Sequence, residues 1–306
     1  MNDATGTTSA TGTSDATDQP RHLRALEPVL SEVAGAVSVW CGRPGSAPAY
    51  SRRPDDTHYA ASTMKTAVMA AAYRLAEQDA LDLDAEIRVH DTFGSALGDG
   101  STYCSTSDYD NDPEPWARHG GVAPLRWLVR RMIVRSSNLA TNLVLERVGL
   151  GAVSAAWAAV GAKYAVVARG IQDYAADQAG RSNLVTAADL AALLSAIHLG
   201  AHGARPERVT ALAAPESCRE MLDVLRAQEV TEDVVRGLPA GTTVAHKNGW
   251  VDGIRHSSAL VFPPDCEPYV LVTCISAPLD HAAGCDLVAQ VAAASWADRQ
   301  VLDGHP

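Results

Sequence analysis

The stretch "YAASTMKTAVMAAAYRL", Tyr59 to Leu75, carries one of only three lysines in the 306-residue chain. From Ser62 onward it is rich in alanine and straight-chain residues, which predicts a helix. Ser62 and Lys65 stand three positions apart, so a helix puts the hydroxyl beside the amine on one face. The partial positive charge of a helix N-terminus favours an oxyanion near Ser62 and weakens the amine's hold on its proton. A neutral lysine can accept a serine proton and a guanidinium cannot, so the pair reads as nucleophile and base. The plainer reading is an N-capping serine followed by a solvated lysine.

Two later stretches bear on that choice. "MIVRSSNLATNLVL" brings Ser136, Ser137 and Asn138 to the mouth of an amphipathic helix, and "VAHKNGWVDGIRH" brings Lys247, Asn248 and Gly249 onto a strand. Two of the three lysines thus fall inside polar motifs. Lys163 has none around it and reads as a surface residue.

Around these motifs, "RHLRALEPVLSEVAG" has helical spacing, and "GAVSVWC" with "PAYSRR" reads as a short strand pair. From Ser62 to about residue 228, helical patterns dominate: "PLRWLVRRMIV", "SNLATNLVLERVG", "LGAVSAAWAAVG", "TAADLAALLSAIHLG" and "ESCREMLDVLRAQ". β-Branched strands return in "TTVAHKNGW", "HSSALVFP" and "YVLVTCIS", the last two joined through "PDCE", before a long final helix. The expected fold is α/β in the α+β sense, with early and late strands in one antiparallel sheet. A single domain over 21–306 would divide into an α/β lobe (about 21–60 and 229–306) and a helical lobe (about 61–228), with a cleft at their junction. The Gly- and Asp-rich segment Phe93 to His119 reads as a loop or lid, with Tyr103 and Tyr109 able to line that cleft.

A net charge of -11 argues against a nucleic-acid partner, since phosphate binders concentrate Lys and Arg on one face. No apolar run approaches the ~18 residues of a membrane span. The first twenty residues hold no Lys, Arg or apolar core, so they read as a disordered tail rather than a secretory signal, which predicts a cytoplasmic protein. The six cysteines lack Cys-x-x-Cys spacing and read as free thiols, with no metal and no cofactor expected.

Ser-x-x-Lys, Ser-x-Asn and Lys-x-Gly, in that order on helix, helix and strand, resemble the class A β-lactamase and penicillin-binding-protein family of serine acyl-enzymes over roughly residues 25 to 303. The resemblance implies a β-lactamase/transpeptidase-like fold and a small-molecule substrate. It makes Ser62 the nucleophile, Lys65 its base and Ser136 the proton donor to the leaving group. Asn138 would hold the substrate's acyl amide, Lys247 would attract a carboxylate, and the backbone N–H groups of Ser62 and Trp250 would form the oxyanion hole.

Two departures stand out. The residue before Gly249 is Asn248 where the family has a hydroxyl, which leaves carboxylate recognition open, with Arg255 as a candidate substitute. The Glu-x-x-Leu-Asn that positions the deacylating water in a class A β-lactamase is missing from "ARGIQDYAADQAGRSNLV". Asp173 lies at nearly the right spacing but is one methylene shorter, and Asp177 is a weaker alternative. The leading expectation is therefore a serine hydrolase or acyltransferase acting on an amide, ester or lactam, with an intracellular biosynthetic substrate. The alternatives are a β-lactamase hydrolysing β-lactam antibiotics, and a DD-peptidase-like or non-hydrolysing penicillin-binding sensor.

Overall fold

The computed structural model describes residues 19–204 and 211–303, so the tail expected at 1–20 lies outside the described residues except for Gln19 and Pro20. Five antiparallel strands form the main sheet in the spatial order Tyr50–Arg52, Ala36–Gly42, Tyr269–Ser276, Ile254–Phe262 and Thr243–Val251. Early and late strands thus share one sheet, as the sequence pattern predicts. The architecture is mixed α/β, as expected.

Alternation along the strands divides the apolar side chains between two cores. Val37, Val39, Cys41, Leu271 and Ile275 face the final helix, His281–Ala297, and the N-terminal helices, where Leu23, Leu30, Leu287 and Val291 complete that core. Trp40, Val270, Val272, Cys274 and Leu260 face the other way, onto the larger helical core. The N-terminal helical segment breaks into Arg21–Ala25 and Glu27–Glu32, with Pro28 in the first turn of the second, where its missing N–H costs nothing.

The helix Lys65–Glu77 runs through the middle of the larger core. Every residue from Lys65 to Tyr73 is buried, and four alanines in that run let neighbours close in on all sides. It packs against Asn138–Ala159, which is interrupted at Gly149, where φ is +74°, so the two helical patterns read from sequence remain two helices. The helices Leu125–Val134, Ala187–Ala201 and Pro215–Arg226 surround this pair.

The segment from Phe93 to His119 is more regular than a loop. It contains a hairpin, Thr92–Gly94 with Thr102–Cys104, then a 3-10 turn at Ser107–Tyr109 and a short helix at Pro113–Trp116. Asp112 caps that helix and pairs with Arg131, which ties the segment to the helical core. Among the described residues no helix is long and apolar enough to cross a membrane. All six cysteines are free.

Candidate active site

The chain leaves the short strand His58–Tyr59, turns through Ala61 at φ +44° and enters a 3-10 turn, Ala61–Met64, before the helix proper begins at Lys65. Residues three apart share a side of such a turn, so Lys65, which opens the helix, follows Ser62 on the same side. Ser62 lines a cavity of about 450 Å³ together with Tyr59, Tyr109, Asn138, Ile171 and Trp250. A non-glycine residue at positive φ is held there only by its surroundings, and such positions cluster at sites of function.

Lys65 is fully buried. Its Nζ donates to the Ser136 carbonyl at 2.8 Å and to Asn138 Oδ1 at 2.9 Å, and lies 3.3 Å from Ser136 Oγ. Burial pulls its pKa down to about 7, with the charge of Asp110 opposing. At neutral pH a large share of this lysine is therefore unprotonated. A neutral amine has two N–H bonds, which the two shortest contacts use, and its lone pair can accept a proton.

Ser136 also sits at positive φ, +58°, directly ahead of the helix Asn138–Ala159. Capping falls to its neighbour: Ser137 Oγ accepts from the Ala140 amide at 3.1 Å. That division leaves Ser136 Oγ to stand between the two lysines, 3.1 Å from Lys247 Nζ and 3.3 Å from Lys65 Nζ. Asp110 gathers the start of this helix, accepting from the amides of Asn138 and Leu139, from Ser137 Oγ and from the Trp116 indole. Sequence reading missed Asp110, because it precedes its partners at this helix start by almost thirty residues and has no motif of its own.

Thr243–Val251 is the edge strand of the sheet, which leaves one row of its backbone groups without a strand partner. Lys247 is fully buried, its pKa held well below the ordinary lysine range by burial and then by the charge of Lys65. Gly249 is pressed against the turn that carries Ser62, where an added Cβ would stand 2.7 Å from the Ser62 amide nitrogen and 3.0 Å from that of Thr63. Only glycine allows this approach. Trp250 follows on the cavity wall, so the strand edge and the first N–H groups of the Ser62 turn meet there.

Three candidates from the sequence lie elsewhere. Asn248 turns its amide away from the cavity, donating to the Val230 carbonyl at 3.2 Å and to Asp233 at 3.3 Å. Arg255, expected near a substrate carboxylate, is buried and grips Asp233 at 2.7 Å and 3.1 Å, with Glu232 at 3.1 Å. Asp173 is fully buried as the N-cap of the helix Tyr174–Gln178, and accepts from Ser95 Oγ at 2.9 Å and the Ala96 amide at 2.7 Å. Asp177 pairs with Arg169 at 3.1 Å. The residue this loop sends to the cavity is Ile171, whose backbone is clamped by both ends of the Asn142 amide. Of the tyrosines in the 93–119 segment, Tyr109 lines the cavity and Tyr103 packs on Phe93.

A family model described as "Beta-lactamase enzyme family" matches residues 22–298. Among solved structures the chain is similar to a beta-lactamase from Sphaerobacter thermophilus DSM 20745, with 24% identity over 92% of this chain and 98% of that one and a TM-score of 0.73. It is similar to PBP-A, at 18% identity over 92% and 96% of the two chains and a TM-score of 0.74. A beta lactamase from Xanthomonas campestris pv. campestris str. ATCC 33913 matches at 19% identity over 90% and 97%, also with a TM-score of 0.74. At these identities the likeness shows the fold. No curated protein matches the chain.

Proposed function

The chain belongs to the beta-lactamase enzyme family, and on that premise we propose that it is a serine hydrolase or acyltransferase working through an acyl-Ser62 intermediate on an amide, ester or lactam. Lys65 takes the proton of Ser62 as Oγ attacks the carbonyl carbon, and the backbone amides of the turn and strand edge hold the oxyanion. When the tetrahedral adduct collapses, the C–N or C–O bond breaks and Ser136 Oγ gives its proton to the leaving group. Ser136 recovers a proton from Lys65, to which it is already adjacent. Lys247 stands on the far side of Ser136 Oγ and steadies the hydroxyl through that exchange.

The observation that carries this reading over that of an efficient β-lactamase is Ile171. The loop position that reaches the cavity is apolar, and the nearest loop carboxylate, Asp173, is spent as a helix cap. Acylation then has its base while deacylation has no loop carboxylate to orient water. A β-lactamase is the second reading, favoured by the solved β-lactamases to which the chain is similar. A mutant of PBP-A is recorded as an acyl-enzyme complex with penicillin G, so a stable adduct is compatible with this fold.

Intact-protein mass spectra after mixing with a β-lactam panel, followed over time, separate the readings. The expected result is an adduct on Ser62 that outlasts many acylation times and is absent from Ser62→Ala. Labelling that survives Ser62→Ala overturns the acyl-enzyme proposal. Rapid disappearance of the adduct with product release makes β-lactamase the better assignment.

A further inference from the structure

We propose that Glu232, His281 and Cys285 form a binding site for a divalent transition metal of the zinc class, separate from the Ser62 cavity. One ligand atom from each lies within 4.8 Å of the other two. His281 and Cys285 are i and i+4 on the final helix, so they share a face, and Glu232 meets them from the segment ahead of the edge strand. Ligands at zinc distances, about 2.0 Å for nitrogen and oxygen and 2.3 Å for sulfur, stand about 3.5 Å apart around a tetrahedral ion. The Glu232–His281 pair already stands at 3.1 Å, and the other separations, at most 4.8 Å, need to contract by no more than about 1.3 Å. The exposed His281 and Glu232 can supply that movement, while the buried Cys285 fixes the base.

Chemistry and charge agree with this assignment. Nitrogen, sulfur and carboxylate form a three-ligand set that leaves the fourth position to water or an exogenous group. Glu232 Oε1 already stands 3.1 Å from His281 Nε2 and 3.1 Å from Arg255 Nη1, so the carboxylate is aimed into the cluster. Metal binding would displace the Cys285 thiol proton to solvent, and the ion with one thiolate and one carboxylate is neutral. The neighbouring Arg255 charge is answered by Asp233 at 2.7 Å, so it need not oppose the ion. An adjoining cavity of about 430 Å³, lined by His281, Arg255 and Gly284, gives an entry path. Spacing along the chain hides the site, because its third ligand is remote in sequence from the other two.

Dialysis of the full chain against zinc, with elemental analysis, and titration with cobalt, read by thiolate-to-cobalt charge-transfer absorption, test the proposal. The expected result is one zinc per chain and a charge-transfer band in the wild type. Cys285→Ser should abolish the band, and His281→Ala, a change at an exposed position, should weaken zinc binding by at least about tenfold, the least a supporting neighbour of a metal ligand is worth. Absence of stoichiometric zinc from the wild type, or unchanged binding in either variant, overturns the proposal.

Discussion

In the proposed mechanism Lys65 is the base for Ser62. Its lowered pKa, to about 7, comes from burial, which disfavours the charged form, and the sign of the consequence follows. Below that value the amine is protonated and cannot accept the Ser62 proton, so the second-order rate of Ser62 acylation should rise about tenfold per pH unit and level off above pH about 7. Stopped-flow acylation at several pH values checks this, and a flat profile from pH 5 to 9 would mean that Lys65 is not the base. Lys65→Arg keeps the charge but cannot take a proton, so it should lose acylation nearly as completely as Lys65→Ala. Gly249 bears on the same step from the opposite side. A methyl group 2.7 Å from the Ser62 amide must push the strand edge away, so Gly249→Ala should slow acylation by about 10²-fold or more, comparable to the loss of one oxyanion donor, while the fold persists. Circular dichroism and burst kinetics on the same sample separate those two effects.

At the scale of elements, the proposed reading turns on the loop between Arg169 and Gln178, which faces the cavity through Ile171. Asn142 clamps Ile171, Arg169 pairs with Asp177, and Asp173 caps the short helix while holding Ser95 and Ala96 of the neighbouring hairpin. Asp173 therefore joins two elements. Replacing it by Asn removes charge-assisted hydrogen bonds and should destabilise the protein by about 1–3 kcal/mol in denaturant titrations. The adduct lifetime on Ser62 should stay unchanged, whereas loss of a working general base would extend it about 10²- to 10⁴-fold. Pulse-chase mass spectra of Asp173→Asn read that difference. The paired serines divide labour in the same way: Ser137→Ala removes an N-cap and should cost about 1 kcal/mol of stability, while Ser136→Ala should act on acylation.

Across the whole molecule, the charge distribution shapes what can enter. The net charge is -11, and the cavity mouth carries Asp108 and Asp252, with no Lys or Arg lining it among the described residues. Lys247 is buried behind Ser136 and Arg255 is held by Asp233, so neither offers a free cation to a substrate carboxylate. Among esters of matched reactivity, one with a cationic acyl side chain should acylate Ser62 faster than its anionic counterpart, and added salt should narrow the gap. Equal rates at low salt would remove electrostatic selection from the account.

The sequence by itself determined the local and the periodic. Alternating apolar strands at both ends and helical patterns between them foretold a single antiparallel sheet formed by early and late segments. The lysines at 65 and 247 pointed to the site because lysine is so scarce in this chain. Only the tertiary structure decided which polar side chains face the cavity. Asp173 and Arg255 had suitable spacing, yet both became internal partners, because a buried carboxylate or guanidinium needs hydrogen bonds and finds them in whatever element packs nearest. Ile171 reached the cavity because the Asn142 amide fixed the loop at that point, and Asp110 became the organiser of the helix start through contacts from distant segments. Spacing encodes which residues share a face of one element, but contacts between elements depend on packing, which carries no signature in a single sequence.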